Sequence, residues 1–81
     1  MITKDSIETA YCFLHQKLRV YEHSSLEWQR DDIECAIASF ADNMNTELYK
    51  TLSAGRPNFL REHSHFSQDI ALAVEKLEKM I

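Results

Sequence analysis

DSIETAYCFLHQKLRVYE, residues 5–22, decides the fold class. Its apolar side chains recur at Ile7, Ala10, Tyr11, Leu14, Leu18 and Tyr21. Steps of three and four lay them along one side of an α-helix, whereas a strand would alternate apolar and polar residues. Asp5 followed by Glu8 three residues later has the spacing of a capping box, so the helix is predicted from about Ser6 to about Glu22. Lys17 and Arg19 fall toward its C-terminal end, where positive charge suits the helix dipole.

The same reading extends downstream. SSLE, residues 24–27, repeats the capping-box spacing with Ser24 and Glu27. It predicts a second helix over about Ser25 to Asn43, with Leu26, Ile33, Ala36, Ile37, Phe40 and Met44 as its apolar stripe. NMNT, residues 43–46, is a break, and Asn45 or Thr46 caps a short helix over Glu47 to Ser53 that turns Leu48, Tyr49 and Leu52 inward. Gly55 stands where a helix-ending C′ glycine belongs, and Pro57 follows as a turn residue or the first residue of a new helical turn. A last helix is predicted over about Ser64 to Met80. Phe66, Ile70, Ala73, Val74, Leu77 and Met80 line it, and Lys76 and Lys79 close it. Phe59, Leu60 and His63 continue that spacing backwards, so residues 57–63 read either as a turn or as an extension of the last helix.

One glycine and one proline in 81 residues suit helices, since sheets need turns and turns need those residues. The expectation is a single all-α domain over residues 1–81. It is a compact bundle of three long helices plus one short helix, with up-down connectivity because short connections favour antiparallel neighbours. A domain-swapped or dimeric arrangement of helical hairpins is the alternative. A core this small commonly depends on tidy helix packing, oligomerisation, a metal or a disulfide.

Charge narrows the function classes. The net charge is −4, and residues 23–45 alone carry five acidic side chains against one basic. Such a chain lacks the basic footprint that holds a phosphate backbone, so nucleic acid is not expected as a partner, nor an anionic membrane surface. MITKDSIETA at the start has no apolar signal-peptide core, and no apolar run approaches the ~20 residues of a membrane span. Cys12 and Cys35 stand apart with no paired spacing and read as free thiols. These features predict a soluble cytoplasmic protein, read as a complete short chain beginning at Met1.

The residues most suggestive of chemistry are in REHSHFSQD, residues 61–69. His63 and His65 are two apart and diverge on a helix. Glu62 and His65 have the E-x-x-H spacing of di-iron bundles, but those sites use that motif twice with two further glutamates, and no second copy occurs. His65 and Asp69 are spaced for an ordinary helix-surface pair. Cys12 and His15 would make half a zinc site, yet Cys12 and Cys35 each fall on the outer side of their helix. No nucleophile elbow, phosphate loop or H-E-x-x-H is present. No cofactor, metal or catalytic residue is therefore expected. Residues 47–66, with Lys50, Arg56 and Arg61, have the outline of a helix-turn-helix. They carry the alternative of a DNA-associated regulator, while His63, His65 and Glu62 carry that of a metal- or ligand-binding bundle.

The leading expectation comes from apolar residues that the main stripes do not use. Phe13 and Val20 form a second stripe on helix 1, and Trp28 lies off the stripe of helix 2 near an acidic cluster of Asp31, Asp32 and Glu34. A helix apolar on two sides is central in its bundle or touches a partner, and tryptophan is enriched at interface hot spots. The chain reads as a non-enzymatic protein that binds another protein or itself, possible homodimerisation included. Phe13, Val20 and Trp28 would supply the contacts, and Asp31, Asp32 and Glu34 the charged rim.

Overall fold

Thr3 starts the first helix. In the computed structural model, which describes residues 2–55, 59–60 and 66–81, α1 spans Lys4–His23. The Thr3 hydroxyl accepts from the Ser6 backbone N–H at 3.1 Å, and the Ser6 hydroxyl accepts from the Thr3 N–H at 3.1 Å. This reciprocal pair is the capping box. It lies two residues ahead of the Asp5–Glu8 pair that the sequence suggested. Both pairs have the right spacing, but the earlier start adds helical residues, and Asp5 then stands in the first turn, where its charge favours the dipole.

The second helix, α2, spans Glu27–Asn43 and begins without a side-chain cap. The expected Ser24–Glu27 box does not form. Ser24 is buried as the last cap of α1, and its hydroxyl turns to Gln29 Oε1 at 2.9 Å and the Leu26 carbonyl at 3.3 Å. Leu26, expected in the core stripe, takes an extended backbone ahead of the helix and is 47% exposed. The short helix α3 spans Thr46–Leu52, and the Asn45 side chain caps it by accepting from the N–H groups of Glu47 and Leu48. Gly55 has φ +79° in the turn after α3, a conformation that costs glycine little. The last helix, α4, spans Phe66–Met80. No strand occurs among the described residues.

One core joins the four helices. Ala10 and Leu14 enter it from α1, and Ile33, Ile37 and Ala41 from α2. Leu48 and Leu52 come from α3, and Ile70, Ala73, Val74 and Leu77 from α4. Phe59 and Leu60 are buried between α3 and α4 in sequence. The stripes anticipated most of this set, but in α2 the expected Ala36, Phe40 and Met44 are only half-buried, Leu26 is exposed, and Ala41, not placed in the stripe, is buried. Ile7, Tyr11, Leu18 and Tyr21 flank the α1 stripe as half-buried cover. The Phe66 side chain, expected to continue the α4 stripe, lies outside the described residues, as does Pro57.

Helix α1 packs most extensively against α4, and next against α2. It is the central helix of the bundle, which accounts for its apolar residues on two sides. Tyr11 donates to Glu78 Oε1 at 3.2 Å across the α1–α4 seam. Lys76, expected to close its own helix, instead donates to the Leu52 carbonyl at 3.0 Å and so caps the end of α3. The Cα radius of gyration is 12.0 Å, close to the ~12 Å of a tightly folded chain of this length.

Candidate functional site at the corner of α1 and α2

Of the six sequence-selected residues, all but Phe13 fall at one region, the corner where α1 gives way to α2. A set of polar contacts holds it. Arg30 Nε donates to the Ser24 carbonyl at 3.1 Å, and its guanidinium lies over the Tyr21 ring at 5.6 Å. Tyr21 in turn donates to Glu34 Oε1 at 3.1 Å. Burial raises the Tyr21 pKa, and the hydrogen bond to the Glu34 carboxylate and its negative charge raise it further. With the Ser24 contacts, these bonds tie the last turn of α1 to the first two turns of α2.

Outside this latch, large apolar side chains are exposed among polar ones. Trp28 is 61% exposed and Val20 49%. With Leu26 they make three large apolar side chains within nine residues of chain, all open to solvent at the same corner. Val20 lines an open groove of about 470 Å³. Two neighbouring rows of α1 line it: His15, Arg19 and His23 at four-residue steps, and Gln16, Val20 and Ser24 at the same steps. Gln29, next to Trp28, borders it from α2. No carboxylate lines this groove, although the chain is acidic overall.

The other candidate residues divide. Asp31 and Asp32 are exposed on α2, three and four residues beyond Trp28, so they share its side of the helix. Glu34 is half-buried and engaged by Tyr21, which sets it within the latch rather than on the open rim. Phe13 stacks on Phe40 with ring centroids 4.5 Å apart and lies beneath the Lys17 ammonium at 5.5 Å. It is a component of the α1–α2 seam, and it does not join the exposed cluster. The basic row of His15, Arg19 and His23 was not singled out from the sequence. Its signal is the four-residue spacing on the side of α1 away from the core stripe.

Cys12 and Cys35 are both exposed and unbridged. Among the described residues no group of three or more histidine, cysteine or acidic side chains is placed to hold a metal. Glu62, His63 and His65 lie outside the described residues, as do Arg56 and Arg61 of the helix-turn-helix outline. Within that outline, Ser53–Gly55 and Phe59–Leu60 are turns, and Leu60 has φ +70°. Whether residues 57–63 continue the last helix lies outside the described residues except at Phe59 and Leu60, which are not helical. Lys50 is exposed on α3. Asp69 is fully buried in the first turn of α4, where the helix dipole favours its charge.

Comparison with protein-family models, curated proteins and solved structures finds no match to this chain. The corner itself is then the basis for a functional reading. It offers a fixed apolar projection, an adjoining groove without carboxylates, and acidic residues on the far side of the tryptophan. No helix among the described residues is long and apolar enough to cross a membrane.

Proposed function

We propose that this chain is a non-enzymatic binding module that docks on another protein through the α1–α2 corner. The single observation that carries the reading is Trp28, a large aromatic side chain left 61% exposed on a corner that polar contacts hold in place. Exposed apolar residues scattered singly are ordinary on protein surfaces. Val20, Leu26 and Trp28 fall instead within nine residues of chain, and Val20 lines a groove there. An aromatic on a rigid support loses little conformational freedom when a partner covers it, so more of its burial appears as affinity. Asp31 and Asp32 would form the charged rim that steers association, and Phe13 supports the helix pair from within. The reading places the protein in the cytoplasm, a reducing compartment in which two exposed thiols persist unpaired.

Trp28→Ala tests the proposal with two measurements. In dilute urea unfolding the variant should lose less than ~1 kcal/mol, since surface substitutions away from core and caps change little. Binding to a partner captured from a cytosolic extract should weaken by ~2 kcal/mol or more, as hot-spot truncations do. A stability loss of ~3–5 kcal/mol with unchanged binding would mean that Trp28 acts as a core residue, and the proposal would fail.

A further inference from the structure

We infer that the partner for this corner is a second copy of the same chain, bound reciprocally across a two-fold axis. The inference rests on the proposed docking role of the corner and names its occupant. Helices pack by laying a row of side chains at four-residue steps from one helix into the groove beside similar rows on another. The α1 groove is lined by two such rows, one carrying Arg19 between two histidines and the other carrying Val20. The matching ridge is on the same molecule. Trp28 and Asp32 are four apart on the exposed side of α2, and both are open to solvent.

When a ridge from one copy enters the groove of another, Trp28 covers Val20 and Asp32 meets Arg19. Groove and ridge both belong to the α1–α2 corner. A two-fold axis passing near that corner therefore makes both contacts at once, each copy giving what the other receives, which is the isologous arrangement of most homodimers. Charge complementarity supports a second copy over an unrelated protein. The groove has no carboxylate, and the chain's excess of negative charge lies in residues 23–45, the segment that supplies the ridge.

Two magnitudes agree with this geometry. A stable interface takes ~800 Å² from each partner. With 5220 Å² of exposed surface in total, one side of the bundle suffices. The net charge of −4 makes two copies repel at long range, but at physiological salt the screening length is about 8 Å. Distant repulsion is thus damped, while the contact between Arg19 and Asp32 is kept.

The experiment is a charge exchange read by sedimentation from micromolar to millimolar concentration. The unaltered chain should shift from monomer to dimer. The emission of Trp28, the sole tryptophan, should move to shorter wavelength over the same range as its ring leaves water. Arg19→Glu and Asp32→Arg should each remain monomeric with unchanged far-UV circular dichroism, because both positions are exposed. Mixed in equal amounts they should dimerise again. The mixture restores one native Arg19–Asp32 contact and one reversed contact, whereas each variant alone has two like-charge contacts. An unaltered chain that stays monomeric throughout, or a dimer indifferent to both exchanges, would overturn the inference. Either result leaves the broader docking proposal to be judged by the Trp28-dependent capture of another protein.

Discussion

Tyr21 links the packing of the corner to a measurable titration. Its hydroxyl donates to Glu34 and its ring carries the Arg30 guanidinium, so the neutral phenol joins α1 to α2. Burial and the nearby carboxylate favour the protonated form in the folded chain and raise its pKa above the ordinary value of 10.0. The sign follows from linkage. A tyrosine with a raised folded pKa adds stability that is fully present below the unfolded pKa and is lost as pH rises through the folded pKa. Tyr21→Phe should therefore cost about 0.5–1 kcal/mol at neutral pH, the net value of one hydrogen bond. The difference from the unaltered chain should narrow above pH ~10. Urea unfolding of both chains at neutral and strongly alkaline pH measures this. An unchanged difference across that range would show that the hydroxyl does not join the helices.

The element boundaries follow from competition among alternative caps. Thr3 with Ser6 and Asp5 with Glu8 are both plausible starts for α1, and the longer helix wins. Thr3→Ala should then destabilise the chain by about 1 kcal/mol, the usual worth of a helix cap. Asp5→Ala should cost less, since only a first-turn charge is lost. Thermal unfolding of the two variants ranks them, and the opposite order would return the cap to Asp5. At α2 the local signal loses outright. Ser24 is drawn into the corner by Gln29 and Arg30, so the helix starts later and Leu26 is left outside it. That displacement turns a residue expected in the core into part of the exposed cluster.

At the scale of the whole molecule, α1 is the shared support. It packs on α4 and on α2 at once, and Leu14 lies at the centre of its core stripe with no exposure. A single core of this kind predicts one cooperative transition. Leu14→Ala should lower stability by ~2–5 kcal/mol through lost burial and the cavity left behind, while unfolding remains a single step. Circular dichroism and Trp28 fluorescence followed through the same urea series check it. Their transitions should coincide in both chains. A tryptophan signal that melts well before the helices would show that the α1–α2 corner opens independently of the bundle.

The sequence by itself determined that this chain is helical, where the breaks after α1 and α2 fall and most of the core. Those features depend on local spacing: the steps of three and four at Ile7 through Tyr21, the break at Asn43 to Thr46, and the near absence of glycine and proline. It also marked Trp28 and Val20 as apolar residues outside the main stripes. Tertiary structure alone decided which helices meet, because an apolar stripe states that a face must be covered but not by what. Thus α1 pairs most closely with α4, the helix most distant in sequence. Phe13 finds Phe40 and leaves the surface, Glu34 is claimed by Tyr21, and Lys76 caps α3 rather than its own helix. The groove beside Val20 was legible only in part. Its basic row has a regular spacing in the chain, but whether that row faces solvent depends on where α2 and α4 settle against α1.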